Sequence, residues 1–252
     1  MTTIALAATW DPRLDVPLLR ELLPQLAEVY AALVVAVRPE GMERLRDFPP
    51  HPQLAFFAMP QRGWGRYLAI ESALAADPDH VHSVDLDHLL YWVHSRPEEW
   101  RESLDASQQA DCLIFGRSAR AWQTYPQAIR QTEQVINDVF SQLLGQPIDF
   151  GLGNRSYSRR AAEHIIAHSA PGRWGDAEWP LRVHRAGYAV AYRAVDGIDW
   201  VPSAAGVDYM VDAAARQRMA DAYDADVAHW ITRVRIAQQI VQQGLEALSD
   251  PR

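Results

Sequence analysis

Val81-His82-Ser83-Val84-Asp85-Leu86-Asp87-His88 decides how this chain is read, because a short apolar run ends there in two carboxylates one residue apart. Carboxylates at i and i+2 point to opposite faces of a continuing strand, so Asp85 and Asp87 can share one ion only where the strand stops and the backbone bends. His88 and the helix-like residues after it supply such a stop. The same pair would also serve as cap and first-turn acid of the following helix, and both readings stay open at this point.

Working outward, Ile4 to Thr9 reads as a strand, Pro17 to Tyr30 as a helix and Ala32 to Val37 as a second strand. A proline-rich loop through Pro49, Pro50 and Pro52 leads to a third strand, Leu54 to Ala58, then a helix from Tyr67 to Ala76 that Pro78 ends. With Val81 to Val84 as the fourth strand, the alternation predicts a mostly parallel sheet with helices on its faces. Ligands in such sheets collect at the carboxyl ends of the strands, where Thr9, Trp10, Asp11, Arg38, the Gly63 loop and Asp85 to Asp87 fall. Further on, Asp111 to Phe115 and Tyr188 to Arg193 read as strands, Phe150 to Tyr157 as a glycine-containing extended segment, and 128–144, 159–168 and 177–185 as helices. Val227, Trp230, Ile231, Val234, Ala237, Val241, Leu245 and Leu248 recur at three- and four-residue spacing and predict one long amphipathic helix. We therefore expect one domain, 1–205 forming the sheet and 206–252 a helical extension packed on it or on a second copy of the chain.

At 252 residues and 48% hydrophobic content, the chain can bury a sizeable core. No apolar run reaches the roughly 18 to 20 residues of a spanning helix. The first residues lack a basic leader segment and Cys112 is the single cysteine, so the expected location is the cytoplasm. All 24 basic residues are arginine. Schiff-base lysine chemistry and a lysine-bearing P-loop are thereby excluded, and arginine must carry any phosphate recognition. A net charge of -8 argues against broad nucleic-acid binding.

Three further clusters carry chemistry. Gln61-Arg62-Gly63-Trp64-Gly65-Arg66 opens a helix; its glycines allow close backbone approach to a diphosphate, and its arginines neutralise one. A tight turn alone would explain the same glycines. Arg173-Trp174-Gly175-Asp176-Ala177-Glu178-Trp179 puts carboxylates at a helix mouth beside tryptophans, which suits a general base against a sugar-stacking wall, or simply an N-cap and a first-turn acid. Gly151-Leu152-Gly153-Asn154-Arg155 and the residues after it, through Arg160, can contact an acceptor or a phosphate, or form a solvated helix start. His82, His88 and His184 are the histidines nearest these clusters.

The order of strand, Gly-x-Gly-Arg loop, helix, strand, Asp-Leu-Asp and then Gly-Asp-Ala-Glu before a helix with Arg-Ala-Gly-Tyr resembles the GT-A glycosyltransferases, particularly the family 2-like group, over residues 3 to 202. The resemblance implies a Rossmann-like sheet and transfer of a sugar from a UDP- or GDP-linked donor to a hydroxyl acceptor. It implies Mg²⁺ or Mn²⁺ on Asp85 and Asp87, and Asp176 as base with Glu178 as the competing choice. It places Thr9, Trp10, Asp11, Arg62, Gly63, Gly65, Arg66 and Asp85 around the nucleotide sugar, with Trp174 and Arg155 toward the acceptor. Trp64, Trp174 and Trp200 become candidate sugar-facing walls. After the second strand, where the family commonly carries an acidic stretch, this chain reads Val35-Ala36-Val37-Arg38-Pro39-Glu40-Gly41. Asp85-Leu86-Asp87 also resembles the first motif of haloacid-dehalogenase-type phosphatases, but His88-Leu89 follows it and lysine is absent. A GT-A-fold nucleotidyltransferase and a non-catalytic binding or assembly protein, dimerising through the C-terminal helix, are the remaining alternatives.

Overall fold

The computed structural model describes residues 2–61, 63–202 and 211–249. Seven strands, β1 (Ile4–Trp10), β2 (Tyr30–Val37), β3 (Leu54–Ala58), β4 (His80–Asp85), β5 (Cys112–Arg117), β6 (Arg155–Ser158) and β7 (Val190–Val195), form one sheet in the order β3-β2-β1-β4-β6-β5-β7. All neighbours run parallel except β6, which is antiparallel to both β4 and β5. The expected mostly parallel sheet flanked by helices is therefore the fold observed. Because β6 runs backwards, its first residue, Arg155, lies at the same sheet edge as the last residues of β1, β4 and β5.

β1 reads as an almost unbroken apolar run because both its faces are covered, as parallel strands require. Ile4, Leu6, Ala8 and Trp10 face a layer built from α1 (Val16–Val29), α4 (Leu86–Ser95) and α5 (Pro97–Ala106), and Ala5 and Ala7 face the opposite layer. Between β2 and β3 lie a one-turn α2 (Pro39–Met42) and a 3₁₀ turn (Glu43–Leu45), where the prolines suggested only loop. The opposite layer comprises α3 (Gly65–Leu74), α7 (Gln127–Leu144), α8 (Arg159–His168) and α9 (Gly175–Arg185); the short α6 (Ala119–Gln123) follows β5. After α10 (Ala213–Ala225), the predicted C-terminal helix is α11 (Val227–Ser249). Ile240, Gly244 and Ala247 bury α11 against this second layer, whereas Val227, Ile231, Val234 and Leu245 are exposed. No helix among the described residues is long and apolar enough to cross a membrane.

A buried polar chain pins the sheet to the first layer. The Trp100 indole donates to the Tyr30 hydroxyl (3.2 Å), Tyr30 meets His82 Nδ1 at 2.6 Å, and His82 Nε2 meets Asn154 Oδ1 at 2.7 Å. With Tyr30 donating to Nδ1 and Nε2–H donating to Asn154, a neutral imidazole satisfies every link. Protonation would turn Nδ1 into a donor and strand the Tyr30 proton. Burial pushes the His82 imidazole down to about 4, against a smaller upward pull from Asn154. His82 therefore serves the fold and leaves the metal-ligand candidates.

Since the unfolded imidazole takes its proton near its ordinary pKa of about 6.5, stability from His82 is complete above that pH and is lost as pH falls toward 4. The loss amounts to on the order of 3 kcal/mol across the window. Urea unfolding at pH 7 and pH 4.5 should show this component in the wild type and not in His82→Gln. Equal pH slopes in the two proteins would remove the assignment.

Candidate functional site

The register between β1 and β4 sets Thr9 directly beside Asp85 at the carboxyl edge of the sheet. Both project toward α3, and the Thr9 hydroxyl donates to Asp85 Oδ1 at 2.5 Å. α3 comes close enough to reach them because its first residue is glycine: a Cβ on Gly65 would lie 2.8 Å from Thr9 Cγ2. The next residue, Arg66, then spans the cleft. Its Nη2 and Nε donate to Asp85 at 2.7 and 3.3 Å, and its Nη1 donates to Asp176 Oδ1 at 3.1 Å. The guanidinium rests on the left-handed turn at Gly153, where a Cβ would fall 2.5 Å from Arg66 Cζ. Thr9, Arg66, Asp85 and Asp176, distant in sequence, thus form one bonded cluster.

Asp85 ends β4 and is the N-cap residue of α4, while Asp87 lies in that helix's first turn. The strand therefore stops where the paired carboxylates need it to. Among the described residues the one hydrogen bond to Asp87 comes from the His88 amide, at 2.9 Å. The two acids are in different electrostatic states. Burial alone would raise Asp85, but the charges of Arg66 and His88 and the bonds from Arg66 and Thr9 hold it below the ordinary carboxylate range. Asp87 is raised, first by burial and then by the charges of Asp85 and Asp15, with His88 opposing. Asp15, which the motif reading missed, is buried in the loop after β1, accepting the Trp10 indole (2.6 Å) and the Arg13 amide (2.7 Å).

Asp176 sits at the start of α9, 3% exposed, and its Oδ2 is buried with no hydrogen-bond partner among the described residues. Glu178 Oε2 is unpaired in the same way, and what distinguishes Asp176 is its place beside Arg66 at the carboxyl edge of the sheet, where a proton or a ligand hydroxyl could meet it. Arg155 holds this helix start from beneath, donating to the carbonyls of Asp176 and Phe150.

Several residues proposed from motifs sit elsewhere. Glu178, two positions and about 200° of helix beyond Asp176, is fully buried and bound by Arg173 and Arg182, both at 2.8 Å. Trp10 turns into the core and stacks on Phe56, so its ring is not a nucleotide wall. Arg155 is 2% exposed and cannot reach an acceptor. Trp174 is half-buried and anchors α11, donating from Nε1 to Gln239 at 3.0 Å and from its amide to Gln243 at 2.6 Å. Trp200 is buried against Tyr223. His184 is exposed on α9, and Glu40 is exposed on α2. Asp11 pairs with Arg13 (3.0 Å) and Arg38 (3.7 Å) at the cleft rim. Gly63 has φ +87 in the turn before α3, and Arg62 lies outside the described residues.

These elements meet at the carboxyl edge of a sheet in the order 3-2-1-4-6-5-7 with one reversed strand. The same kind of α/β fold, a mostly parallel sheet flanked by helices, is found in solved structures. Rv0371c from Mycobacterium tuberculosis H37Rv, solved in complex with manganese, is similar to this chain with a TM-score of 0.53 and 12% identity, over 87% of this chain and 99% of that one. The 4-diphosphocytidyl-2C-methyl-D-erythritol synthase from Anaerococcus prevotii DSM 20548 is similar with a TM-score of 0.51 and 9% identity, over 89% and 97% of the two chains. No protein-family profile and no curated protein sequence matches the chain.

No group of three or more His, Cys, Asp or Glu poised to hold a metal ion occurs among the described residues. The two acids suit an ion that arrives with its substrate, since Mg²⁺ in particular is bound by one or two carboxylates plus phosphate oxygens. The raised Asp87, facing Asp85 and Asp15, is the acid that a cation would relieve.

Because Glu178 is buried between two guanidiniums, Glu178→Ala should cost about 3–5 kcal/mol of stability, the penalty of breaking a buried ion pair. Chemical denaturation measures this, and a loss below about 1 kcal/mol would contradict the structural role.

Proposed function

We propose that the chain is a transferase that binds a nucleoside-diphosphate sugar at the carboxyl edge of β1 and β4 and passes the sugar to a hydroxyl acceptor. The observation that carries this reading is the cluster itself: an arginine and two kinds of carboxylate, one paired and one with a lone buried oxygen, at the ligand edge of a mostly parallel α/β fold. Asp87 and Asp85 would hold a divalent ion, Mg²⁺ or Mn²⁺, which when bound neutralises charge on the departing diphosphate. Arg66 contributes a fork of N–H donors to the same oxygens. Asp176, with Oδ2 unpaired, takes the proton of the acceptor hydroxyl. Thr9 fixes the Asp85 rotamer, and Arg155 fixes the backbone from which Asp176 projects.

Nucleotidyl transfer from a triphosphate is the second reading, favoured by the fold shared with the Anaerococcus synthase. The loop after β1, Asp11-Pro12-Arg13-Leu14-Asp15, weighs against it, because two acids and no glycine make a poor cradle for a triphosphate. Phosphatase chemistry with Asp85 as nucleophile fits less well, since both its oxygens are bonded to Thr9 or Arg66 and no lysine exists to assist.

A panel of UDP-, GDP- and CDP-sugars, with and without Mn²⁺, tests the reading by thermal shift and by slow release of the sugar to water. At least one donor should stabilise the wild type in a metal-dependent way that Asp87→Ala loses. Asp176→Asn should keep donor binding within a few-fold while sugar release falls about 10²–10⁴-fold, the usual worth of a general base. Pyrophosphate release from CTP or UTP would favour nucleotidyl transfer instead. A folded protein silent to every donor would favour a non-catalytic binding role.

A further inference from the structure

Arg66 stands where two incoming ligands need it to be elsewhere. Its guanidinium is bonded to Asp85 through Nη2 and Nε and to Asp176 through Nη1, and the Gly153 turn leaves just the room it fills. While those bonds persist, Asp85 has one oxygen on Arg66 Nη2 and the other shared between Thr9 and Arg66 Nε. A divalent ion approaching Asp85 meets a positive charge already in place. A diphosphate meets a guanidinium whose donors point at carboxylates, beside Asp87, to which no arginine is bonded among the described residues. Each ligand alone is therefore opposed, and each removes the other's obstacle. The ion displaces Arg66 from Asp85, and the diphosphate receives it.

We propose that Arg66 is a coupling latch, passed from Asp85 and Asp176 to the donor diphosphate as the ion takes Asp85, so that metal and nucleotide bind cooperatively and the Oδ1 of Asp176 is freed only in the loaded site. The proposal rests on the transferase reading above and adds to it a linkage between two ligands. Partial exposure makes the movement feasible: the Arg66 side chain is 22% exposed and that of Asp85 30%, whereas Asp176 stays buried at 4%. Arginine suits the role because it keeps its charge in either position and exchanges one pair of acceptor oxygens for another of similar geometry. Release of Asp176 Oδ1 in the same movement adds a second proton-accepting oxygen beside the unpaired Oδ2.

Linkage requires the coupling to be reciprocal, the ion tightening nucleotide binding by the same factor as the nucleotide tightens the ion. The experiment is calorimetric titration of the full chain with Mn²⁺ alone, with UDP, GDP or CDP alone, and with each in the presence of the other, corrected for the Mn²⁺–nucleotide complex in solution. Wild type, Arg66→Gln, Arg66→Lys and Asp87→Ala are compared. In the wild type each ligand should tighten the other by at least about 10-fold, within the usual range for coupled sites. Arg66→Gln should bind Mn²⁺ alone several-fold more tightly than the wild type while the coupling falls to about 2-fold or less. Arg66→Lys, which keeps the charge without the fork, should lie between the two, and it carries the test if Arg66→Gln fails to fold. Unchanged or weaker Mn²⁺ binding in the arginine variants, with coupling intact, overturns the latch and leaves the transferase reading standing. If the wild type binds no combination of ligands, or Asp87→Ala binds Mn²⁺ as the wild type does, the transferase reading falls and the latch falls with it.

Discussion

One guanidinium shared by two carboxylates ties the ends of three separate elements together. Arg66 belongs to α3, Asp85 to the end of β4 and Asp176 to the start of α9. A parallel sheet brings strand ends to a common edge, but it does not by itself place side chains within bonding distance. Here that step depends on close backbone approach, Gly65 against Thr9 and Gly153 against the guanidinium. Without either, α3 or the loop before β6 would stand off by the width of a methyl group and the cluster would open. The candidate chemistry therefore depends on packing that carries no charge at all.

The absence of lysine gives every salt bridge of the chain to arginine or histidine, and exposure then separates two kinds. Arg117, 4% exposed, is enclosed between the rings of Trp122 (4.3 Å) and Tyr125 (4.4 Å) and bonded to Asp149 and Glu133, and Arg233 caps Glu133 from α11. Glu178 with Arg173 and Arg182 is closed in the same sense. These clusters join elements: β5 to α7 and α11 in one case, and the segment before α9 to the helix itself in the other. Arg66 differs because its cluster is partly open to solvent on the Asp85 side, at the carboxyl edge of the sheet. All three clusters keep a buried polar atom without a hydrogen-bond partner among the described residues, Arg117 Nη1, Glu178 Oε2 and Asp176 Oδ2, so position at the carboxyl edge of the sheet and partial exposure, not incomplete bonding, set the Arg66 cluster apart.

How far the sequence was legible follows the same division. β1, β4 and α8 were readable from periodicity and length because their burial is regular, and β3 and α11 from apolar composition and spacing alone, since β3 is an edge strand and Val227, Ile231, Val234 and Leu245 of α11 are exposed. α4 and α5 were not read as separate elements: Leu86–Ser95 is apolar on most of its circumference, and only Pro97 marks the second start. The extended segment expected over 150–157 shortened to four residues of β6 because Gly153 adopts φ +62 and turns the chain just before pairing begins. At the site, Thr9, Gly65, Arg66, Asp85 and Asp176 were identifiable, since the fold's strand-end rule and residue chemistry pointed the same way. Trp10, Arg155, Trp174 and Glu178 share those neighbourhoods in sequence, and a one- or two-residue offset along a strand or helix was enough to turn each inward or aside. Asp15 carries no motif and Gly153 stood out only as part of a flexible glycine-arginine loop, and the roles of both exist only through contacts made across the fold.

The opening pair, Asp85 and Asp87, gains its meaning from the change of secondary structure between its members. On a continuing strand the two would have opposed faces and equivalent surroundings. With β4 ending at Asp85, the first acid keeps its strand orientation toward Thr9 and Arg66 and is held ionised by them. The second, one helical step later, faces burial and the charges of Asp85 and Asp15, which push its proton affinity up. In the proposed site a divalent ion would gain most beside the acid to which no arginine is bonded among the described residues, which would make Asp87 the stronger anchor and Asp85 the contested one. Two chemically identical side chains, two residues apart, are thus made unequal by the point at which a strand becomes a helix. That inequality lets one of them hold an arginine and leaves the other as the acid that the proposed function gives to a metal.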